Sequence, residues 1–381
     1  MAAIRPHSAR PHESTTELEK GYSKVDITSS DPFSLTKALI DTQQQKQRAV
    51  KRFYGRQNEQ IKSMLLSVDQ HRMTADDEAS AKGLKNRIAI YGSLVGNLML
   101  AGLQLYGAVS SGSLSLFATM VDSIFDPVSN GIMLYCHRSA RHADETRWPS
   151  GKARMTTVGN ICFCFIMACA SAILIVESIR EIVSHVGDVE AAATEQFHLS
   201  SVLAVTGAFI TKVCLMLYCW PLKSSNSQIQ ILWEDHRNDL FINGLGIVTS
   251  VLGSKVVWWL DPGGAMLLSV LIIASWGNTC LHEFKLLIGV SASPEFLQLV
   301  TYTCVTHHRR VLQLDTCRAY HSGEGIIIEV DIVMAKELTL GETHDVAEDL
   351  QNKLERLPGV ERCFVHCDFE TTHKPEHRKN I

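Results

Sequence analysis

Six stretches of the chain are long enough and apolar enough to cross a lipid bilayer, and they constrain the fold more than any other feature of the sequence. A transmembrane helix needs roughly 20 mostly apolar residues to cross about 30 Å of hydrocarbon. The stretches cover residues 88–110, 114–136, 156–177, 199–220, 230–253 and 262–282. We therefore predict an α-helical polytopic membrane protein with six transmembrane helices.

The charges of two connecting loops predict the orientation of these helices. The loop of residues 137–155 carries five arginine and lysine side chains, whereas the loop of residues 177–198 is mostly acidic and has one arginine. Basic loops tend to remain in the cytosol. The first loop is therefore expected in the cytosol and the second outside it or in a lumen, and six spans then place both termini in the cytosol.

The sequence on either side of the transmembrane domain, residues 88–290, is more polar and predicts the remaining domains. Residues 1–45 lack periodicity and are expected to form a disordered tail. Residues 46–87 are basic and helical in composition, which predicts a cytosolic juxtamembrane region. Its helix either lies near the membrane surface or is an ordinary solvated helix. Residues 291–372 are expected to form a soluble domain, and residues 373–381 a short tail.

The soluble C-terminal domain is predicted to have the element order α-β-β-α-β. Apolar and polar residues alternate over residues 326–334, which is typical of a half-buried strand. Thr339 and Glu342 have the spacing of a capping box at a helix start. The helix that follows has one apolar stripe, formed by Val346, Leu350 and Leu354.

Composition excludes two other classes of protein. The formal net charge is −4, which gives no support for nucleic-acid binding. The eleven cysteines are scattered and include no CxxC pair, so we do not expect a disulfide framework.

Two aspartates, Asp122 and Asp126, stand inside the second apolar segment. An ionised Asp at the centre of a transmembrane helix costs about 2.5–3.5 kcal/mol on insertion scales. Residues at spacing i, i+4 lie on the same face of a helix. Two carboxylates on one face of this segment, each with such a cost, predict a functional site in the membrane.

The fifth segment repeats this arrangement with Asp235 and Asp239. An asparagine follows each pair by four residues, Asn130 in the second segment and Asn243 in the fifth. Facing each other, the two helices offer four carboxylates to one divalent cation, which would offset their mutual repulsion. Protons can replace the ion when it leaves, which is a physical basis for metal/proton exchange. The alternative for residues 235–239 is a plain cytosolic loop, because the sequence before them is polar.

At these residues the chain resembles the cation diffusion facilitator family, in particular its manganese-type branch, which includes metal tolerance proteins of fungi and plants. The resemblance rests on SLSLFATMVDSIFDPVSNG, DHRNDLFINGLGI, RWPSGKARMTTVGN, WWLDPGGAMLLSVLIIASW and FYGRQNEQI, and it covers about residues 50–370. It implies a homodimeric secondary transporter that moves a divalent metal out of the cytosol in exchange for protons. It also implies that the C-terminal domain is ferredoxin-like and dimerises. By the same resemblance, an endomembrane location (Golgi, endosomal or vacuolar) is favoured over the plasma membrane.

The family's central metal site corresponds to Asp122, Asp126, Asp235 and Asp239. Zinc-type relatives have histidine where this chain has Asp235, and a site of oxygen ligands suits Mn²⁺. We therefore expect Mn²⁺ as the transported substrate, with Zn²⁺ or Fe²⁺ as the alternatives and no catalytic cofactor. The neighbouring His236 points about 100° away around the helix, which favours a vestibule or interface residue over a ligand.

The remaining candidate residues are amides within the segments and a second group in the C-terminal domain. Asn97, Asn130 and Asn243 are candidates for ligands or supporting residues, or else for interhelical hydrogen bonds. A regulatory cytosolic metal site is implied by resemblance at Asp315, His344, His366 and Asp368. A membrane-anchored metal sensor remains the alternative from a different functional class. No Glu-x-x-His motif or His-rich cluster lies within the segments, so we do not expect an enzyme.

Overall fold

The computed structural model describes residues 31–40, 48–111, 114–141, 144, 146–187, 199–224, 227–253 and 260–371. Within these ranges, some side chains are not described, namely those of residues 104, 107–111, 114–122, 141, 185–187, 199–206, 242–253, 260 and 261. The chain forms two compact units. The helical unit consists of residues 76–289 with 322–324, and the C-terminal unit consists of residues 1–75, 290–321 and 325–381.

Helices dominate the described part of the chain. They are α1 (Arg48–Leu65), α2 (Val68–Ser111), α3 (Leu114–Arg141), α4 (Arg154–Gly187), α5 (Leu199–Cys219), α6 (Ser227–Gly253), α7 (Leu260–Ile288), α8 (Pro294–Val305) and α9 (Leu340–Glu355). The strands are β1 (Gln313–Ser322), β2 (Gly325–Val333) and β3 (Val360–Asp368). Each predicted apolar segment coincides with one of the helices α2 to α7, except that Trp220 lies in a 3-10 turn after α5.

The apolarity of these helices differs widely. Among the described residues, two helical stretches are long and apolar enough to cross a membrane, Arg154–Ser184 in α4 and Pro262–Ile288 in α7. A third apolar stretch, Gly207–Leu222, is shorter. In contrast, α6 carries several ionisable residues in its first half, so the apolarity of its described residues alone does not identify it as a span.

Apolar packing in the helical unit is centred on α4, which lies along α7 and α3. The Phe163 and Trp276 rings, both fully buried, have centroids 5.5 Å apart. Met133 of α3 and Leu232 of α6 complete the same cluster. This cluster brings α3 and α6, the two helices with paired aspartates, into one packed interior.

A buried polar contact holds the start of α6 in place. The Asn160 side chain of α4 donates to Ser227 Oγ at 2.9 Å and to the Glu283 carboxylate of α7 at 3.2 Å. The Glu283 side chain is itself buried. The first residue of α6 is therefore tied to two neighbouring helices, which fixes the helix that carries Asp235 and Asp239.

Part of the predicted disordered tail is ordered. Residues Leu35–Ala38 form a 3-10 turn. The Asp31 carboxylate caps this turn by accepting from the Leu35 N–H at 2.6 Å and the Thr36 N–H at 2.9 Å. The prediction of disorder over residues 1–45 is therefore wrong here, because an Asp cap stabilises a turn that composition does not reveal. The rest of that tail, like the predicted tail at 373–381, lies outside the described residues.

Helix α1 packs within the C-terminal unit rather than standing alone. Its Ile61 is buried, and Val68 at the start of α2 joins the core of that unit. Ser67 separates the two helices. Its backbone N–H donates to the Gln70 side chain at 2.9 Å, and its hydroxyl accepts from the Gln70 N–H at 3.2 Å. This reciprocal cap begins a new helix, and it explains why the juxtamembrane region predicted at residues 46–87 is divided between two helices.

The C-terminal unit has the predicted α-β-β-α-β order and a three-stranded sheet in the order β1-β2-β3. Strands β2 and β3 are parallel, with Ile328 opposite Cys363. A parallel pair needs a crossover connection, and α9 supplies it. The sheet face of Ile328 and Ile332 is fully buried, as is the stripe of α9 that contains Leu350 and Leu354. The alternation and the helical stripe seen in the sequence are both confirmed.

The start of α9 is fixed by the predicted capping box. The Glu342 N–H donates to Thr339 Oγ1 at 3.3 Å, and the Thr339 N–H donates to the Glu342 carboxylate at 3.0 Å. This backbone hydrogen bond, the Thr339 hydroxyl and the Arg310 guanidinium lower the pKa of Glu342 below its usual value. The stabilisation is thus complete above the ordinary glutamate pKa and is lost as pH falls through the lowered pKa.

We expect Thr339→Ala to loosen the first turn of α9, because the substitution removes the hydroxyl that accepts from Glu342. Amide hydrogen exchange of residues 340–343 in the full chain should become roughly fivefold faster, because losing an N-cap typically costs about 1 kcal/mol of stability. Thr339→Ser is the matched control, because it keeps the hydroxyl and should exchange at close to the wild-type rate. Equal exchange in the alanine and serine variants would contradict the role of the cap.

Candidate metal centre

Helix α6 buries both of its paired aspartates. Asp235 is 0% exposed and Asp239 is 7% exposed. Gln228, Ile229 and Leu232 of the same helix are also buried, so its polar first half lies inside the helical unit. The alternative that residues 235–239 form a plain cytosolic loop is therefore wrong. Of the polar residues before Asp235, Gln228 is buried and Ser227 accepts a hydrogen bond from Asn160 of α4.

His236 lies against the aspartates instead of pointing away from them. Ligand atoms of Asp235, His236 and Asp239 all lie within 4.8 Å of one another, and this is the one such group in the described part of the chain. His236 Nδ1 is 3.9 Å from Asp235 Oδ2. The other ring nitrogen, Nε2, forms a hydrogen bond with Ser93 Oγ of α2 at 2.9 Å. Sequence reasoning favoured a vestibule or interface residue because helix geometry sets only the Cβ direction, whereas the hydrogen bond to Ser93 determines the ring orientation.

Helix α3 contributes Asp126 to the same place. Asp126 is 8% exposed, and its Oδ2 accepts from the ammonium of Lys212 of α5 at 2.7 Å. Asp239 Oδ2 accepts from the same ammonium. The carboxylates of Asp126 and Asp239 therefore contact a single nitrogen atom, which links α3 and α6 at this point. The side chain of Asp122 lies outside the described residues, although its backbone belongs to α3.

Lys212 is a candidate functional residue that the sequence did not lead us to expect. It is 4% exposed, and it is the one charged residue between positions 199 and 220. A lone ionisable residue in an otherwise apolar span marks a functional position by default. That signal was present in the sequence, but only the tertiary structure identifies its partners.

Local structure around Asp126 departs from a regular helix. Pro127 follows it inside α3 and cannot donate the backbone hydrogen bond that a helix interior requires. One turn later, Ser129 Oγ donates to the Phe125 carbonyl at 2.7 Å and to the Asp126 carbonyl at 3.1 Å. A proline and a back-bonded serine both favour bending of a helix. Helix α3 therefore lacks one backbone hydrogen bond directly beside Asp126.

Two of the predicted asparagine side chains are buried in the helical unit, and their amide atoms form no hydrogen bonds with the described residues. Asn97 of α2 is 1% exposed and Asn130 of α3 is 3% exposed. Neither amide has a hydrogen-bond partner among the described residues. Asn130 is one turn after Asp126, and Asn97 is one turn after Ser93. Leaving a buried polar group unpaired is costly, so both are candidates to bind a ligand. The side chain of Asn243 lies outside the described residues.

The four candidates in the C-terminal unit do not form a comparable group. Asp315 is on β1 and His366 and Asp368 are on β3, with β2 between these strands. The His366 and Asp368 side chains are 4.0 Å apart. His344 of α9 lies 3.8 Å from Glu348 on its own helix. Strand spacing alone separates β1 from β3 by about 10 Å, so the described geometry brings only His366 and Asp368 together.

The arrangement in the helical unit can bind a small, hard cation. Two buried carboxylates contact one ammonium, and a third carboxylate and an imidazole lie within 4.8 Å of one of them, so the carboxylates outnumber the positive charge. Carboxylate oxygens suit hard divalent ions, whereas an imidazole adds affinity for transition metals.

Both units of the chain match domains of known proteins. Residues 90–288 match the cation efflux transmembrane domain, and residues 297–370 match the cytoplasmic domain of cation efflux proteins. The chain is similar to Metal tolerance protein 5 of Oryza sativa subsp. japonica, at 39% identity over 76% of this chain and 69% of the relative. It is also similar to Metal tolerance protein 10 of Arabidopsis thaliana, at 35% identity over 88% of this chain and 78% of the relative. Metal tolerance protein 11 of Arabidopsis thaliana is 36% identical over 77% of this chain and 73% of the relative.

These matches extend over both units and over more than two thirds of each relative named. Members of the matched family are membrane-embedded transporters of divalent metal cations, not enzymes. The chain therefore belongs to the cation diffusion facilitator family, with a cation efflux transmembrane domain and a cytoplasmic dimerisation domain.

Proposed function

We propose that the protein exports Mn²⁺ from the cytosol in exchange for protons. The ion is held by Asp126, Asp235 and Asp239, with Asp122 as the fourth carboxylate. The observation that supports this most strongly is that Asp126 of α3 and Asp239 of α6 reach one and the same nitrogen atom. Two helices distant in sequence thus place buried carboxylates around one point, as a centre for a divalent cation requires.

The amides extend this site along both helices. We assign Asn130 and Asn97 to the site as ligands or as groups that orient it, because both are buried and have no partner among the described residues. Asn243 completes the set by its position one turn after Asp239. In the cytosolic unit, we retain Asp315, His344, His366 and Asp368 as candidates for a regulatory site, and the 4.0 Å approach of His366 and Asp368 supports that pair.

The architecture we propose has six membrane spans, α2 to α7, with both termini in the cytosol. The basic loop at residues 137–155 and the acidic loop at residues 177–198 support this orientation. For the C-terminal unit, we infer a ferredoxin-like domain that forms a homodimer, supported by its α-β-β-α-β order and its match to the cytoplasmic domain of cation efflux proteins. Residues 1–45, 46–87, 88–290, 291–372 and 373–381 remain the domain division that we propose. An endomembrane location, Golgi, endosomal or vacuolar, is proposed from resemblance.

The second candidate substrate is Zn²⁺ or Fe²⁺ in the same site. Asp235 provides an oxygen ligand where zinc-type relatives have histidine, which favours Mn²⁺. However, the His236 imidazole lies within 4.8 Å of the carboxylates, and imidazole suits zinc and iron. The identity of the metal therefore depends on whether His236 coordinates the ion or remains bound to Ser93.

We expect Asp126→Asn and Asp239→Asn to lower Mn²⁺ uptake into proteoliposomes by more than about tenfold, because each removes one charged ligand. Mn²⁺ uptake by the wild-type protein should also rise when a proton gradient that drives protons in the opposite direction is imposed. Asp77→Asn is the matched control, since Asp77 is exposed on α2 and its substitution should leave uptake unchanged.

Undiminished Mn²⁺ flux in Asp126→Asn and Asp239→Asn would contradict the metal site, and flux that is insensitive to the proton gradient would contradict proton exchange. Metal binding without any flux would instead favour the membrane-anchored sensor.

A separate substitution tests the metal preference. Asp235→His should shift uptake from Mn²⁺ towards Zn²⁺, because it replaces a hard oxygen ligand with an imidazole. The ratio of Zn²⁺ to Mn²⁺ uptake measures the shift, and Asp235→Asn shows the effect of charge loss without an imidazole. An unchanged ratio in Asp235→His would argue against Asp235 as the residue that selects manganese.

A further inference from the structure

Lys212 places a positive charge inside the proposed cation site, where a positive charge would not be expected. It is 4% exposed in an apolar helix. Its Nζ donates to Asp126 Oδ2 at 2.7 Å and to Asp239 Oδ2, and it interacts electrostatically with Asp235. Every described carboxylate of the site is therefore in contact with, or within electrostatic range of, this one ammonium.

Stability of the fold is a weak explanation for such a group. A buried ion pair loses its hydration, and apolar residues of similar volume often stabilise a protein equally well or better. Helix α5 also packs along α6 over a longer stretch than this ion pair. A lysine that bridges two helices at the proposed transport site therefore needs a functional reason.

The ammonium and a divalent cation require the same two carboxylates. A small hard cation takes carboxylate oxygens at a little over 2 Å, and Lys212 is bonded to the Oδ2 atoms of Asp126 and Asp239. Two cations held by the same pair of carboxylates in a buried site would repel each other strongly. The two occupants of the site therefore exclude each other.

We propose that Lys212 is a tethered counter-ion that takes the place of the divalent cation in the empty carrier and must leave both carboxylates before the ion binds. This inference rests on the proposed metal site. The ammonium offsets the repulsion between the carboxylates when no metal is present, and it keeps α3 and α6 linked through α5. It also weakens metal binding by competition, which favours release of the ion after transport.

The test is Mn²⁺ binding to the full chain, measured by isothermal titration calorimetry in detergent. Lys212→Gln should bind Mn²⁺ at least about tenfold more tightly than wild type, because the competing positive charge is gone. A gain of affinity is not the result of a damaged fold. Lys285→Gln is the matched control, since Lys285 is exposed near the end of α7 and should bind like wild type.

Equal or weaker Mn²⁺ binding by folded Lys212→Gln would overturn the counter-ion while leaving the metal site intact. Asp239→Asn separates the two proposals: if wild type binds no Mn²⁺, or if Asp239→Asn binds as well as wild type, the metal site itself is wrong. If Lys212→Gln does not fold without metal, added Mn²⁺ should restore its folding, because the ion supplies the missing charge. A variant that stays unfolded in Mn²⁺ would also overturn the proposal.

Discussion

The burial of carboxylates is the constraint on which the rest of the helical unit depends. Asp126, Asp235 and Asp239 are each at most 8% exposed, and ionised groups at such positions are costly unless they are paired. The Lys212 ammonium supplies the pairing for Asp126 and Asp239. Helix α5, which is otherwise apolar, lies where its single lysine reaches both α3 and α6. Charge compensation of the buried carboxylates therefore accompanies the apolar packing of the helical unit.

A second set of polar contacts orients the residues around this centre. Ser93 of α2 holds one ring nitrogen of His236, so the imidazole turns its other nitrogen towards Asp235. Further from the centre, Asn160 joins Ser227 to Glu283 and ties the start of α6 to α4 and α7. Such networks are costly when incomplete and specify one arrangement when complete. These contacts therefore limit the positions that Asp235 and His236 can take within the helical unit.

Local sequence signals predicted local structure well. The capping box of Thr339, the stripe that includes Leu350 and the alternation around Ile328 all correspond to observed elements, because each depends on residues close in sequence. Signals failed where distant residues decide. Residues 35–38 are ordered by a cap from Asp31, and Ile61 is buried by the C-terminal unit rather than lying on a membrane or in solvent. Composition contains no information on such partners.

The sequence by itself determined the helical segments, the paired aspartates on two of them, and the element order of the C-terminal unit. Periodicity and the high cost of charge in an apolar helix make those features readable along one chain. Only the tertiary structure decided that His236 lies with the aspartates and that Lys212 joins Asp126 to Asp239. The reason is physical: a helix pattern defines which face a side chain occupies, but the partner of a buried charge is defined by which helices pack together.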